Sequence, residues 1–162
     1  EQPSRVKTVL DCLTRHSVPP GMLILEVTET TAMSNPDESV RVLTALTDAG
    51  VKASIDDFGT GYSCLLYLKR LPACELKIDR AFVKELSGES EDATIVSAII
   101  ALAKTLNLKV VAEGVETAAQ QTFLTELGCN TLQGYLLGKP ITAQAIMEQC
   151  QHGEMSPPRT RS

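Results

Sequence analysis

Two adjacent aspartates stand at the end of a predicted strand in the segment ASIDDFGTGYS. Asp56 and Asp57 would repel each other unless a cation or several hydrogen-bond donors lay between them, so the pair costs stability without a ligand. Carboxylate oxygens are the donors that Mg²⁺ and Mn²⁺ prefer. The pair therefore indicates a metal site, although Asp57 could instead cap the turn that follows it.

Four more polar residues end other predicted strands: Glu26 in LEVTE, Lys77 in ELKID, Glu113 in VVAEGVE and Gln133 before Gly134. A strand-end glutamate pairs with a lysine as often as with a metal, and Lys77 is such a partner for Glu26. Its ammonium could instead orient a water or hold a phosphate oxygen, because it donates three hydrogen bonds. Glu113 is a candidate ligand or base, and Gln133 could simply be a hydrogen-bonded amide.

Three further acids have simpler structural interpretations. Glu29 follows the first of these strands in a loop, Asp79 can cap a turn, and Glu116 can cap a helix. Neither His16 nor His152 stands in a pattern that supports catalysis. A serine or cysteine nucleophile with a histidine base is therefore set aside.

The elements that would position these residues alternate between short apolar strands and longer amphipathic helices. This alternation predicts a mainly parallel sheet covered by helices, with ligands at the carboxyl ends of the strands. The predicted strands are Met22–Val27, Val51–Asp56, Glu75–Ile78, Lys109–Ala112 and Thr131–Leu132. The predicted helices are Ser4–His16, Asp37–Ala49, Tyr62–Leu71, Asp92–Leu106, Ala118–Leu127 and Ala143–Gln149.

Side-chain alternation within the strands separates an apolar face from a polar one. The polar parity ends the successive strands in Glu26, Asp56, Lys77, Glu113 and Gln133. In a closed barrel this parity points inward, so the five groups would converge at one mouth. An open doubly wound sheet gives the same alternation, but charged residues at several other positions of the strands favour the barrel. Five βα units fall short of the eight in a full barrel, which needs about 250 residues.

Composition limits the classes of function. The 162 residues are 43% hydrophobic and 22% charged with a net charge of −5, which is typical of a globular domain and excludes a nucleic-acid duplex as partner. The five cysteines have no C-x-x-C spacing, and no signal peptide is evident, so we expect a cytoplasmic location, which an upstream membrane anchor would not contradict. The polar segment 151–162 is predicted to be a disordered tail.

Together, LEVTE, DDFGTGYS, LKIDR, AEGVE and LQGY, in this order, resemble the EAL family of cyclic-di-GMP phosphodiesterases from about Leu10 to Met147. The resemblance implies a modified TIM-type β/α barrel, of which residues 1–150 are the C-terminal part. It also implies two divalent ions, Mg²⁺ or Mn²⁺, and hydrolysis of cyclic-di-GMP to linear pGpG.

The resemblance also implies roles for individual residues. Glu26 and Asp56 match ligands of a first ion, and Asp56 would bridge to a second ion that Asp57 and Glu113 also bind. The remaining matches are Lys77 and Gln133 as residues that position waters, Glu29 as a residue that steadies the glycine loop Asp57–Gly61, and Asp79 and Glu116 as supporting acids.

The sequence departs from the family at its front, because the Glu-Ala-Leu motif and a strand-end asparagine are absent. We expect both upstream, on missing N-terminal strands, and we expect the isolated chain to be inactive. An upstream sensory or cyclase domain and a homodimer fit the same interpretation. The alternatives are a non-catalytic cyclic-di-GMP receptor or interaction module of the same fold, and an unrelated metal-using barrel.

Overall fold

A computed structural model describes residues 5–59, 65–86 and 90–152. Five parallel strands form one sheet whose strand order follows the chain. The strands are β1 (Ile24–Thr28), β2 (Lys52–Phe58), β3 (Glu75–Ile78), β4 (Lys109–Ala112) and β5 (Thr131–Leu132). The last three have the predicted bounds, and β1 and β2 are displaced by one or two residues.

At least one helix follows each strand, so the five predicted βα units are present. The helices are α1 (Arg5–Arg15), α2 (Glu29–Ser34), α3 (Pro36–Asp48), α4 (Leu65–Leu68), α5 (Arg80–Lys84), α6 (Glu91–Thr105), α7 (Ala118–Glu126) and α8 (Ala143–His152), with a 3₁₀ turn at Pro20–Met22. Both α2 and α5 were missed by the sequence analysis, which placed Glu29 in a loop and took Asp79, the residue before α5, as the possible cap of a turn. The described part of the predicted helix 62–71 is helical over α4 alone, and residues 60–64 lie outside the described ranges.

Side-chain caps explain where several helices begin. The Asn35 side chain accepts a hydrogen bond from the Glu38 N–H, and Pro36 occupies the first helical position of α3. Thr117 and Gln120 form a reciprocal capping box at the start of α7. These caps fix the first residues of α3 and α7.

The apolar parity of the strands packs under the helices, as predicted. Ile55 of β2, Leu76 of β3 and Val110 of β4 are fully buried in one cluster with Val96 and Ile100 of α6. This packing leaves the polar parity on the opposite face of the sheet. Over the described residues the sheet does not close, so the fold is an incomplete β/α barrel of the modified TIM type.

The C-terminal helix α8 continues to His152, three residues beyond its predicted end at Gln149. The first two residues of the predicted tail are therefore helical, and residues 153–162 lie outside the described part of the chain. Among the described residues, no helix is long and apolar enough to cross a membrane.

Candidate metal site at the strand ends

Lys77 lies at the centre of a group of carboxylates on the polar face of the sheet. Its Nζ atom is 2.9 Å from Glu26 Oε1, 3.1 Å from Asp56 Oδ1 and 2.7 Å from Glu113 Oε1. Burial of Lys77, which is 6% exposed, would lower its pKa, but its hydrogen bonds to the three carboxylates outweigh burial and raise the pKa above its usual range. The ammonium therefore stays charged and connects strands β1 and β2 to the residue after β4.

Asp57 reaches the same group through an irregularity in β2. Its φ angle is +54°, and the register between β2 and β3 shifts between Ile55 and Phe58. An extra residue in a strand changes the side-chain alternation, and aspartate is one of the few residues besides glycine that tolerates positive φ. The resemblance implied that Asp57 shares an ion with Asp56, and the irregularity at this point brings the two carboxylates to the same side of the strand end.

Oxygen atoms of Asp56, Asp57 and Glu113 all lie within 4.8 Å of one another. Burial raises the pKa of Asp57 above its usual range, and so do the neighbouring carboxylates of Asp56, Asp79 and Glu113. Such crowding is unfavourable unless positive charge is added. A hard divalent cation supplies that charge and prefers oxygen donors, so this donor set fits Mg²⁺ or Mn²⁺.

Glu29 holds the beginning of the glycine-rich segment. It is 1% exposed, and its Oε2 accepts a hydrogen bond of 2.8 Å from the Gly59 N–H. Gly59 has φ +101°, and a Cβ there would lie 2.8 Å from the Phe82 ring, so a side chain would not fit. Glu29 thus contacts the segment that the sequence analysis assigned to it, although it begins helix α2 and does not lie in a loop. Residues 60 and 61 of that segment lie outside the described ranges.

Asp79 caps a helix, as the simpler interpretation had it, whereas the cap of α7 is Thr117 and not Glu116. Asp79 Oδ1 accepts from the Ala81 N–H at 2.7 Å and caps α5, while its carboxyl group also hydrogen-bonds with Asp57. Glu116 is exposed, and its backbone N–H donates to Gln120. Asp79 therefore borders the carboxylate group, whereas Glu116 is near it along the chain, three residues after Glu113.

Gln133 is exposed at the end of β5. Its N–H donates to Ala112 O at 2.9 Å and its carbonyl accepts from the Val115 N–H at 3.0 Å, so its backbone is fixed beside the end of β4. Gly134 makes this approach possible, because a Cβ at that position would overlap the backbone of Val115. Main-chain contacts thus fix the backbone of Gln133 beside the end of β4, and the inward direction of its side chain stays a prediction.

Two buried polar residues were missed by the sequence analysis. Gln120 is 5% exposed, and the T-x-x-Q capping pattern at Thr117 was the available signal for it. Ser54 is fully buried, and its Oγ has no hydrogen-bond partner among the residues that the structure describes. The available signal for Ser54 was its parity, because it lies two residues before Asp56 on the same predicted strand.

A parallel β/α sheet with a lysine-centred carboxylate group at its strand ends defines a barrel-type domain with a candidate metal site at its mouth. The family model of the EAL domain matches residues 1–140. The chain belongs to the EAL domain family. This finding confirms the resemblance based on the five motifs.

Relatives within the family are similar over most of this chain. It is 64% identical over 142 residues to the bifunctional diguanylate cyclase/cyclic di-GMP phosphodiesterase MucR of Pseudomonas aeruginosa, covering 88% of this chain and 21% of MucR. It is 38% identical to the cyclic di-GMP phosphodiesterase RocR of the same organism, covering 85% of this chain and 35% of RocR. The chain thus spans about a fifth to a third of the length of these two relatives.

Two solved structures have the same fold. The PaMucR phosphodiesterase in complex with c-di-GMP is 63% identical with a TM-score of 0.86, covering 90% of this chain and 64% of that one. Klebsiella pneumoniae BlrP1, in a manganese/cy-diGMP complex, is 36% identical with a TM-score of 0.75, covering 84% of this chain and 35% of that one.

Proposed function

We propose that this chain supplies part of a metal-dependent phosphodiesterase site that hydrolyses cyclic-di-GMP to linear pGpG. The observation that carries the proposal is the convergence of Asp56, Asp57 and Glu113 oxygens within 4.8 Å, beside the buried Lys77 ammonium. The similar structures of PaMucR with c-di-GMP and of BlrP1 with manganese and cy-diGMP support the choice of substrate and of metal.

The residues present would hold two divalent ions, Mg²⁺ or Mn²⁺, through the carboxylates of Glu26, Asp56, Asp57 and Glu113. Bound ions of this kind activate a water and neutralise charge on the phosphate. The chain's own contribution is to hold each oxygen in place: Lys77 fixes three of the four carboxylates by charge-assisted hydrogen bonds.

The other site residues have supporting roles in this proposal. The three donors of the Lys77 ammonium are used by Glu26, Asp56 and Glu113, so Lys77 would orient a water or a phosphate oxygen only where a bound ion takes over one of these carboxylates. The exposed Gln133 amide can orient a second water. Glu29 would keep the glycine-rich segment in place through Gly59. Asp79, which hydrogen-bonds with Asp57, and Glu116, at the start of α7, would act as supporting acids.

The test is hydrolysis by the full gene product that carries this sequence. After the metal has been removed and Mn²⁺ or Mg²⁺ added back, we expect pGpG as the product on anion-exchange chromatography. Asp56→Asn should abolish product formation, and Asp11→Asn, at an exposed position of α1, should not. Binding of cyclic-di-GMP without turnover would instead identify a receptor of the same fold. If the gene product neither binds nor hydrolyses cyclic-di-GMP, the assignment is refuted.

The arrangement of the parent protein belongs to the same proposal. MucR is a bifunctional diguanylate cyclase/cyclic di-GMP phosphodiesterase of which this chain covers 21%. We therefore propose that residues 1–150 form the C-terminal part of a cytoplasmic EAL domain. We also propose that a sensory or cyclase domain lies upstream of it and that the protein is a homodimer. Sequencing of the upstream coding region and light scattering of the gene product test these parts separately.

A further inference from the structure

We infer that Gln120 is a positioning residue for the metal site, which holds the loop after β4 against helix α5. The inference rests on the proposed function, because that loop begins at Glu113 and contains Glu116. Gln120 lies on α7, seven residues after Glu113, and it has no place in the proposed chemistry. Its side chain nevertheless connects the segments that follow two neighbouring strands of the site.

Four hydrogen bonds surround the Gln120 amide. Its Oε1 accepts from the Glu116 N–H at 2.8 Å and from the Thr117 N–H at 2.9 Å. Its Nε2 donates to Val83 O at 2.9 Å and to Lys84 O at 3.1 Å. A primary amide has two donor hydrogens and an oxygen that accepts twice, so its hydrogen-bonding capacity is completely used.

These partners lie on two different structural units. Glu116 and Thr117 end the loop that follows β4, whereas Val83 and Lys84 belong to the last turn of α5. That helix begins directly after Asp79, two residues beyond Lys77. Gln120 therefore joins the segment after the lysine strand to the segment that carries Glu113.

The loop is fixed elsewhere by its own backbone. The Glu113 N–H donates to Ile78 O at 3.2 Å, and the Val115 N–H donates to Gln133 O at 3.0 Å. The start of the loop is thus attached to β3 and its middle to the end of β5, and Gln120 attaches its far end to α5. The Leu136 N–H also donates to Val115 O at 3.0 Å. Without Gln120, the far end of the loop at Glu116 and Thr117 would lose its attachment to α5, and the loop would depend on these three backbone contacts and on the packing of Val115.

Helix capping alone does not account for these contacts. A capping box needs the Thr117 N–H bond to Gln120 and the return bond from the Gln120 N–H to Thr117 Oγ1, which is 3.2 Å long. The bonds to Glu116, Val83 and Lys84 leave α7 and would not be required to start it. Buried groups left without partners are costly, so loss of Gln120 should be felt on both neighbouring segments.

The experiment compares Mn²⁺ binding in variants of the full gene product, measured by the EPR signal of free Mn²⁺ and compared with the Mn²⁺ concentration that gives half-maximal hydrolysis. Gln120→Met keeps the side-chain length but loses all four bonds. We expect its Kd for Mn²⁺ to rise about 10-fold, as is typical when the support of a metal ligand is removed. Gln121→Met, the same change one residue along α7, should stay within about 2-fold of wild type.

Two further variants separate positioning from folding. Thr117→Ala removes the cap of α7 but leaves the four Gln120 bonds, so it should lower the melting temperature without changing Mn²⁺ binding. Gln120→Glu keeps an acceptor for the loop but loses both donors, and its carboxylate would face the carbonyl oxygens of Val83 and Lys84, so its Kd should rise at least as much as that of Gln120→Met. If Gln120→Met does not fold, Gln120→Glu carries the test.

The outcomes are distinct. Wild-type Mn²⁺ binding in Gln120→Met, or in Gln120→Glu if the first does not fold, would overturn the inference while leaving the proposed function intact. An equal loss of binding in Thr117→Ala and Gln120→Met would also overturn it, because a helix cap would then explain the effect. A wild-type protein that binds Mn²⁺ but does not hydrolyse cyclic-di-GMP would refute the proposed function alone. A wild-type protein that does not bind Mn²⁺ would refute both.

Discussion

Nζ of Lys77 lies 2.7 Å from Oε1 of Glu113, a contact that joins the buried lysine of β3 to the residue directly after β4. The same ammonium also contacts Glu26 on β1 and Asp56 on β2. A single side chain thereby links acids from three separate segments. Without a metal ion, the repulsion among these acids is balanced chiefly by this lysine.

Replacement of Lys77 by Met should therefore destabilise the metal-free protein. We expect its free energy of unfolding to fall by about 2 kcal/mol, less than for a fully buried ion pair, because the Glu26 side chain is 49% exposed. Mn²⁺ should restore part of the loss, since a bound cation again balances the acids. Urea denaturation with and without Mn²⁺ measures both effects. Lys52→Met, at an exposed site on β2, is the control, and equal destabilisation of the two variants would contradict the prediction.

Loss of the carboxylates should abolish turnover with little effect on the fold. In the full gene product, Glu113→Ala and Asp56→Asn should each lower kcat by about 10³-fold or more, because metal binding and water activation are lost together. Product formation and Mn²⁺ binding measure the two effects. Glu126→Ala, at an exposed end of α7, should behave like wild type. Turnover near the wild-type rate in either site variant would show that the site is elsewhere.

Substitutions of Glu29 should destabilise the glycine loop Asp57–Gly61 to the extent that they weaken the hydrogen bond from the Gly59 N–H. Glu29→Ala removes the acceptor of the Gly59 N–H and should destabilise the protein by about 2 kcal/mol, whereas Glu29→Gln keeps a carbonyl acceptor and should cost less than half of that. Hydrogen exchange at the Gly59 amide should be faster in the alanine variant. Thr30→Ala, at the exposed neighbouring position on α2, serves as the control, and unchanged exchange in Glu29→Ala would contradict the assignment.

Asp57 should make the stability of the metal-free protein depend on pH. Because its pKa is raised in the folded state, its contribution is complete below the pKa of the unfolded chain, about 3.9, and is lost as pH rises through the folded pKa. Asp57→Asn should remove this loss, and asparagine also tolerates the positive φ.

At pH 8 and without metal, we expect the asparagine variant to be about 1 kcal/mol more stable than wild type, because the crowded Asp57 charge is gone. We expect it to bind Mn²⁺ more weakly, because a candidate ligand is lost. Denaturation in EDTA between pH 4 and pH 8 tests this. Asp48→Asn, at an exposed position near the end of α3, should keep the wild-type pH dependence. A wild-type pH dependence in Asp57→Asn would exclude Asp57 as its source.

Much of the site could be predicted from the sequence because strand alternation is a local property. The polar parity identified Glu26, Asp56, Lys77 and Glu113 as neighbours, and these four residues are in contact through the lysine. The lysine–glutamate pair that the simpler interpretation proposed is also present. The acids that could hold a metal and the acids that pair with Lys77 share Asp56 and Glu113, so the two interpretations do not exclude each other.

The remaining features depend on tertiary contacts. Helices α2 and α5 have six and five residues, too few for a hydrophobic period, and they are held by caps such as Thr28 and Asp79. The bulge at Asp57 is a shift in the pairing register between β2 and β3, so it could not be predicted from the sequence of β2 alone. The hydrogen bonds from Gln120 to α5 span sequence separations of 36 and 37 residues. A local pattern therefore predicts the cap of α7 but not the contact between α7 and α5.

The contact between Gly134 and the backbone of Val115 has a consequence for protein engineering. In a saturation library across this part of the mouth, the adjacent positions 133 and 134 should differ in how well they tolerate substitution. The exposed side chain of Gln133 has room for other residues, although the amide that would orient a water is then lost, whereas any replacement of Gly134 forces the chain after β5 away from Val115. Substitutions in this part of the mouth are therefore limited to the side chains around Gly134, because the close contact of Gly134 with the Val115 backbone must be kept.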